Sequence, residues 1–245
     1  MTKLELLKHY KDEDDLIEGY VKRAFDGEHE LRILEAGCGQ HWPLNLEGIK
    51  YRITGVDLDP EAMRYRVEVI KDLDEAVVAD LRQVDLGDRK FDVVYNSFVL
   101  EHIENAEHVL QNFKNWLVPG GLIILKIPDR DSVFGFLTNL TPFWFHVFYH
   151  RHILRRPHSG EPGYGPYPTY YDKVVSRKGI QEWCKANGFT LREERGLAPY
   201  LVERGLRQRC ITAITRIVSA LSFGRLPWRH SNLTFVLEKT AAPAT

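Results

Sequence analysis

The chain has 245 residues, and its 33 lysine and arginine side chains nearly balance 34 aspartate and glutamate side chains, giving a formal net charge of −1. This balance disfavours a general nucleic-acid-binding protein, because that class depends on an excess of basic side chains. Apolar residues make up 44% of the chain, which is enough for a folded core and excludes intrinsic disorder for most of its length. We expect one domain over residues 1–245.

Cysteine usage and hydropathy predict the compartment. Cys38, Cys184 and Cys210 are odd in number and far apart, so neither a disulfide framework nor a zinc site is predicted. The amino terminus has no apolar run of the kind found in signal peptides, and residues 133–149 fall short of the roughly 20 apolar residues that a membrane span needs. We therefore expect a cytoplasmic protein.

In chain order, an amphipathic helix comes first, with Asp15 and Glu18 as its expected capping box. Strands are expected at 31–36 and 51–56, and Asp59 with Pro60 predicts the start of a second helix. The remaining strands are expected at 76–79, 91–95, 121–127, 189–194 and 232–238, and a helix is expected before each of the last three.

Short apolar strands alternating with helices are typical of a parallel sheet covered on both faces. We predict an α/β fold with a doubly wound, mostly parallel, Rossmann-like sheet of seven strands and helices on both faces. The alternation breaks at residues 131–174, which we predict to be a lid inserted after the fifth strand, with 163–171 as a closing loop. Residues 196–230 are predicted to be a helical addition before the last strand.

The most informative motif is Glu35-Ala36-Gly37-Cys38-Gly39, placed where the first predicted strand ends. Glycine lets a ligand approach the backbone closely, and Asp57, 20 residues after Gly37, can accept both hydrogen bonds of a ribose diol. Asp80 ends the next predicted strand in the same way. These residues predict a nucleoside-containing cofactor at the carboxyl edge of the sheet.

A nicotinamide dinucleotide uses the same crevice, so an NAD-dependent oxidoreductase is an alternative. The dinucleotide fingerprint has a third glycine where this chain has Trp42, and it needs a helix whose N-terminus meets the pyrophosphate. Only 11 residues separate Gly39 from Tyr51, and Pro43 is among them. A cofactor without phosphates therefore fits better.

Over about residues 31–130 the chain resembles the class I S-adenosylmethionine-dependent methyltransferases. Five motifs occur in the family's order: Glu35-Ala36-Gly37-Cys38-Gly39, Gly55-Val56-Asp57-Leu58-Asp59-Pro60, Ala79-Asp80-Leu81, the stretch 91–103, and Leu117-Val118-Pro119-Gly120-Gly121-Leu122. The chain departs from the family pattern at His41, where many members have another glycine, and in its shortened first helix. The resemblance implies S-adenosylmethionine as the cofactor.

The resemblance also implies a role for each matching residue. It assigns cofactor contacts to Glu35, Gly37 and Gly39 at the methionine amino end, Asp57 at the ribose hydroxyls, Leu58 on the adenine, Asp80 and Leu81 at the adenine amino group, and Asn96 near the sulfonium. Carboxylates are the acceptors that a cation with a diol and an amino group needs.

Methylation of a hydroxyl requires loss of its proton, and His102, which follows the fourth predicted strand, is the predicted general base. A supporting or surface role for His102 fits the sequence equally well. The alternative bases are the insertion histidines His146, His150, His152 and His158, whose spacing predicts no metal site.

Two segments bear on the methyl acceptor. Residues 142–149 are rich in aromatic side chains and are followed by arginines, and residues 204–229 carry six arginines with no acid. This composition predicts either a pocket for a small or lipophilic acceptor, a peripheral contact with an anionic membrane, or a lid with a solvated basic rim.

Two further inferences concern function. The residues 96–99 lack the Asn-Pro-Pro-aromatic run of DNA amino-methyltransferases, so no nucleic-acid partner is predicted. A noncatalytic cofactor-binding adaptor at a membrane surface is a further alternative to a methyltransferase.

Overall fold

The structure, a computed structural model, describes residues 4–153, 155, 157–161, 165–170, 172–202 and 205–240. Within these residues one sheet has eight strands in the order β1-β7-β8-β6-β5-β2-β3-β4. The strands are β1 (Glu5–Leu7), β2 (Leu31–Ala36), β3 (Tyr51–Asp57), β4 (Glu75–Val78), β5 (Phe91–Ser97), β6 (Leu117–Pro128), β7 (Phe189–Leu197) and β8 (Asn232–Lys239).

Helices follow most of these strands. They are α1 (Tyr10–Ala24), α2 (Pro60–Tyr65), α3 (Ala106–Trp116), α4 (Val133–Leu140), α5 (Phe143–Phe148), α6 (Arg177–Asn187) and α7 (Leu206–Leu221). Two of them continue as wider π-helical turns, α2 over Arg66–Ile70 and α5 over Tyr149–Ile153. Short 3₁₀ turns lie at Leu100–His102 and Pro199–Leu201.

Strands β2 to β6 run parallel, whereas β8 lies antiparallel between β6 and β7. The carboxyl ends of β2, β3 and β5 therefore meet at one edge of the sheet. In the register, Glu35 lies between Gly55 of β3 and Tyr95 of β5. This edge is where ligands bind in open α/β sheets.

The core lies on both faces of the sheet, because successive strand residues point to opposite faces. Val94 packs with α3 and α6 on one face, whereas its neighbour Val93 packs with α1 and α2 on the other. Helices on both faces and a mostly parallel sheet confirm the predicted fold class.

The sheet has eight strands rather than the predicted seven. The additional strand is β1, which pairs parallel with β7 so that Glu5 lies beside Arg195 and Leu7 beside Leu197. A strand of three residues is too short to show a periodic pattern, and its hydrogen-bonding partners come from β7, which is distant in the sequence. The local sequence therefore carries no signal for β1.

Helix α1 begins earlier than the sequence predicted. Its first residue is Tyr10, and the backbone amide of His9 donates to the Asp12 carboxylate at 3.2 Å. Asp12 thus supplies the acceptor expected of a capping box, and the box predicted at Asp15 and Glu18 is wrong. By contrast, the Asp59 carboxylate accepts from the amides of Glu61 and Ala62, as predicted for the start of α2.

The predicted lid contains α4 and α5, and α7 lies within the predicted helical addition. Helix α7 packs on α4, so the two segments meet. Part of the predicted closing loop, residues 163, 164 and 171, lies outside the described residues. In the described part of the chain, no helix has the length and apolar composition needed to cross a bilayer.

Candidate cofactor and acceptor site

The glycine turn after β2 depends on the missing side chain of Gly37. Gly37 has a φ of +76°, and a Cβ atom there would lie 2.3 Å from Cγ2 of Val99. The Gly37 amide donates to the carbonyl of Val56 at 2.7 Å, which ties the turn to β3. A larger residue would displace either the turn or the loop that follows β5.

Asp57 connects the end of β3 to this turn. One carboxylate oxygen accepts from the backbone amide of Gly39 at 2.9 Å, and the other accepts from the amide of Asp59 at 2.9 Å. Each carboxylate oxygen has a second lone pair, so Asp57 can still accept hydrogen bonds from a ligand diol. The tertiary structure therefore holds Asp57 in one orientation at the crevice.

Asn96 connects β5 to the end of β2. Its side chain is completely buried, and Nδ2 donates to the carbonyl of Ala36 at 2.7 Å. Its Oδ1 atom has no hydrogen-bond partner among the described residues. An acceptor atom is thus left open beside the glycine turn.

The three residues assigned to the adenine lie in different environments. Leu58 is 68% exposed, whereas Leu81 is buried in the core on the α3 side. The Asp80 carboxylate pairs with the Arg82 guanidinium at 2.6 Å, and this hydrogen bond lowers the pKa of Asp80. The structure thus brings Asp80 to the crevice edge already paired with a cation.

Glu35 has a partner that the sequence did not predict. The fully buried Arg66 donates from Nη1 to Glu35 at 2.7 Å and to the carbonyl of Cys38 at 2.9 Å, and from Nε to Asp72 at 2.8 Å. Burial raises the pKa of Glu35, and the charge of Arg66 opposes that rise. The one local signal for this pairing is an arginine inside the apolar pattern of α2.

Several buried polar atoms around the turn have no hydrogen-bond partner in the described structure. They are Trp42 Nε1, Arg66 Nη2, the Tyr95 hydroxyl and Asn96 Oδ1. Unpaired buried polar atoms are costly, so such a group marks a place for a polar ligand. The unpaired donors Trp42 Nε1 and Arg66 Nη2 suit a carboxylate, and the unpaired acceptor Asn96 Oδ1 suits an ammonium group. The amino-acid end of S-adenosylmethionine carries both groups.

The segment between β2 and β3 separates the two cofactor hypotheses. Residues 37–50 are all described, and they contain no helix. A dinucleotide site places its pyrophosphate at a helix N-terminus in this segment. The absence of that helix favours a cofactor without phosphates.

His102 lies in the 3₁₀ turn after β5. Its Nδ1 atom lies 2.8 Å from the carbonyl of Pro168, so Nδ1 carries the proton and Nε2 carries the lone pair in the neutral ring. Burial lowers the pKa of His102, which favours this neutral form. Its ring meets Tyr167 edge-on, with 5.7 Å between the centroids, so described residues of the predicted closing loop contact His102.

A cavity of about 260 Å³ lies beyond the ends of β5 and β6. Its lining includes apolar and polar side chains: Pro128, Phe134, Val175, Glu101, Thr138 and Tyr170. Glu101 is 6% exposed, and burial raises its pKa to about 7. Sequence reasoning missed Glu101, because a glutamate next to a histidine in the segment after a strand gives no sign of its burial.

The insertion histidines do not line this cavity. His146 Nε2 lies 2.8 Å from Thr141 Oγ1, His158 lies 3.1 Å from Glu161, and His152 packs on Phe148. Within the described residues, no three histidine, cysteine, aspartate or glutamate side chains are grouped to hold a metal ion.

Known proteins are similar to this chain in sequence. A family described as a methyltransferase domain matches residues 8–194. Phosphoethanolamine N-methyltransferase 1 of Zea mays is 29% identical over 110 residues, which are 41% of this chain and 22% of that protein. The ubiquinone biosynthesis O-methyltransferase of Glaesserella parasuis is 21% identical over 183 residues, or 71% of each chain. This chain thus spans about a fifth of the maize protein.

The fold is similar to that of a solved structure, the magnesium protoporphyrin IX methyltransferase of Synechocystis PCC 6803 with bound S-adenosylhomocysteine. The TM-score is 0.56 at 14% identity, covering 94% of this chain and 83% of the other. The chain belongs to the class I S-adenosylmethionine-dependent methyltransferase family. S-adenosylmethionine is the cofactor of that family, so the predicted class and cofactor are confirmed.

Proposed function

We propose that the chain transfers a methyl group from S-adenosylmethionine to a small or lipophilic molecule, at a hydroxyl oxygen. The observation that carries this proposal is the joined turn at the sheet edge. There Asp57 holds the amide of Gly39 while Asn96 Oδ1, Trp42 Nε1 and Arg66 Nη2 lack partners. The assigned roles of Glu35, Gly37, Leu58, Asp80 and Leu81 stay predictions within this proposal.

When bound, the cofactor supplies a methyl group on a positively charged sulfur. The chain then has to hold the acceptor in line with that methyl group and remove the proton of a hydroxyl. The tautomer of His102 supports a role as base, because its Nε2 lone pair is available in the neutral ring. His102 therefore stays the proposed general base.

The cavity beyond β5 and β6 supports a small acceptor, or the end of a longer one. About 260 Å³ is near the lower limit for pockets that bind small molecules. Of the two relatives described above, the one that matches most of both chains carries an O-methyltransferase name, and the maize relative an N-methyltransferase name. The O-methyltransferase relative supports oxygen as the methylated atom.

A lipophilic acceptor is supported by exposed apolar side chains on α4, which lines this cavity, and on α5 and α7. Helix α4 contributes Phe134 to the lining and carries exposed Phe136 and Leu140 on its outer side. Exposed apolar side chains continue along α5 and α7: Phe143, Trp144, Phe145, Phe148, Leu206, Ile214, Ile217 and Leu221. We call this set of α4, α5 and α7 side chains the apolar surface.

The charge around the apolar surface supports contact with an anionic membrane. Residues 132–160 contain no acid, and neither do residues 204–237, whereas both segments contain several arginines. Each arginine near an anionic bilayer contributes about 1 kcal/mol of attraction. A membrane contact would bring a lipophilic acceptor to the α4 side of the cavity.

Ligand-dependent melting tests the proposed cofactor against the NAD alternative. S-adenosylmethionine and S-adenosylhomocysteine at about 100 times their dissociation constants should each stabilise the protein by about 2.7 kcal/mol and raise its melting temperature. NAD should not. A rise with NAD and none with the sulfur ligands would contradict the proposal.

Turnover separates a methyltransferase from a noncatalytic adaptor. The protein is incubated with methyl-labelled S-adenosylmethionine and a cell extract, and the labelled products are identified by mass. Label in a small or lipophilic molecule supports the proposal. Cofactor binding without label transfer to any product would favour the adaptor.

A further inference from the structure

Glu101 is the buried polar group that the proposed function leaves unexplained. The residue is 6% exposed, and its Oε2 atom is fully buried without a hydrogen-bond partner among the described residues. It also lines the cavity of about 260 Å³ beyond β5 and β6. A carboxyl group in a cavity wall with one oxygen lacking a partner is suited to bind a ligand that supplies a proton donor.

The described residues leave one oxygen of this carboxylate, Oε2, without a hydrogen-bond partner. His102 Nε2 lies 3.9 Å from Glu101 Oε1, which is beyond hydrogen-bond distance. The backbone carbonyl of Glu101 accepts from the amide of Tyr170 at 2.7 Å, so the backbone is fixed while Oε2 stays unpaired. Arg130, which lines the same cavity, donates from Nη1 to the carbonyl of Asp172.

The remaining lining explains what kind of molecule would enter. Pro128, Phe134 and Val175 supply an apolar wall, and Glu101 is the single acid among the described residues that line the cavity. A buried carboxylate in an apolar setting discriminates strongly between molecules with and without a hydrogen-bond donor, because the wrong molecule leaves the carboxylate unpaired.

We propose that Glu101 binds the methyl acceptor through a proton donor on the acceptor, either a hydroxyl or an ammonium group. This inference rests on the proposed methyltransferase function and adds a specificity-determining residue to it. Burial raises the pKa of Glu101 to about 7, so the carboxylate form that accepts such hydrogen bonds predominates only in mildly alkaline solution. His102 Nε2 lies 3.9 Å from Glu101 Oε1, so a donor group held by Glu101 would lie near the proposed general base.

Three naphthalene probes test the proposal by binding alone, without turnover. They are 2-naphthol, with a hydroxyl donor, 2-(aminomethyl)naphthalene, with an ammonium donor, and 2-methoxynaphthalene, with none. Their dissociation constants are measured by fluorescence at about pH 8, above the pKa of Glu101. The wild type should bind at least one donor probe about tenfold more tightly than the ether, as expected for a hydrogen bond to a charged group.

Two variants separate Glu101 from a general charge effect. Glu101→Gln keeps the size of the side chain and removes its charge, so the preference for the donor probe should fall to within about threefold of the ether. Glu104→Gln removes an exposed carboxylate from the same loop and should keep the wild-type preference. The better donor probe shows whether a hydroxyl or an ammonium group is recognised.

The results that would contradict the role of Glu101 differ from the result that would contradict the proposed methyltransferase function. Equal binding of all three probes, binding of none of them, or a preference that survives in Glu101→Gln would overturn the role of Glu101. A second test measures transfer of the labelled methyl group to products when the amount of cell extract is limiting. Transfer should fall at least tenfold in Glu101→Gln, while the rise in melting temperature with S-adenosylmethionine is unchanged. Loss of that melting rise in the wild type would instead overturn the proposed function.

Discussion

The carboxylate of Asp57 accepts a hydrogen bond from the backbone amide of Gly39 at 2.9 Å, so the end of β3 holds the turn that follows β2. This contact gives Asp57 a structural task, orientation of the turn, in addition to its proposed recognition of the ribose. A substitution at Asp57 should therefore affect both the stability of the protein and its affinity for the cofactor.

Asp57→Ala should abolish most of the melting rise produced by S-adenosylmethionine. It should also reduce the free energy of unfolding by about 1–3 kcal/mol, because two backbone amides lose their acceptor. Asp57→Asn, which keeps one acceptor oxygen, should lose less stability. Asp88→Ala on an exposed loop is the control and should behave as the wild type. An unchanged melting rise in Asp57→Ala would contradict the assigned role.

Gly37→Ala should weaken cofactor binding by displacing the turn, because the added Cβ would lie 2.3 Å from Val99. Overpacking of this kind costs about 1–3 kcal/mol of folding free energy. The double variant with Val99→Ala removes the opposing methyl groups and should recover part of the lost stability and binding. Denaturant unfolding and calorimetry measure the two effects, and strict additivity of the two substitutions would show that no clash exists.

His102→Ala should lower turnover by ~10²–10⁴-fold while cofactor affinity changes little, as expected for loss of a general base. Because burial lowers the pKa of His102 below 6.5, wild-type activity should persist on the acid side of that value until the ring is protonated. His29→Ala, at an exposed contact in which Nδ1 lies 2.6 Å from the Asp26 carboxylate, is the matched control. Turnover within a few fold of the wild type would remove His102 from the mechanism.

The apolar surface should bind vesicles that contain anionic lipid, and binding should weaken as salt shortens the range of electrostatic attraction. Trp144→Ser with Leu140→Ser should reduce cosedimentation, since both side chains are 68% exposed. Val69→Ser, which removes an exposed apolar side chain next to α2, is the control. If vesicles of every composition leave the protein in the supernatant, the membrane contact is wrong.

Glu101 should make the protein less stable as pH rises. Its pKa increases from 4.5 to about 7 on folding, so the native state binds more protons between these values and the free energy of unfolding falls across that interval. The full effect is of the order of 3 kcal/mol. Glu101→Gln should remove this slope when unfolding is measured from about pH 4 to 8.

The other ionisable groups near Glu101 are His102, at 3.9 Å, and Arg130 and Tyr170, which line the same cavity. His102 acts with the opposite sign, because its lowered pKa makes the protein more stable as pH rises toward 6.5. The difference between the wild type and Glu101→Gln isolates the glutamate. Parallel pH profiles for the two proteins would show that the carboxyl group titrates as it does in the unfolded chain.

The sequence by itself determined the features that depend on near neighbours along the chain. The glycine turn at Gly37 and Gly39 requires backbone conformations that few other residues adopt, and Asp59 with Pro60 specifies a helix start through contacts within a few residues. The alternation of apolar strands and helices likewise implied a parallel sheet, and with it the meeting of Gly39 and Asp57 at one edge.

Only the tertiary structure decided which distant groups became partners. The position of Arg66 within an apolar pattern did not reveal that Glu35 would be its partner, and β1 existed only once β7 was beside it. The aromatic residues of 142–149 were one basis for predicting an acceptor pocket, but Phe143, Trp144 and Phe148 are 45%, 68% and 49% exposed and do not line the cavity.

Glu101 shows the physical reason for this division. The cavity that it lines is bounded by β6, α4, the segment near Tyr170 and the start of β8, which are far apart in the chain and come together only in the folded protein. A turn or a cap is a local balance of backbone geometry and hydrogen bonding, which a few residues specify. The desolvation of a carboxylate is set by everything packed around it, and that is a property of the whole fold.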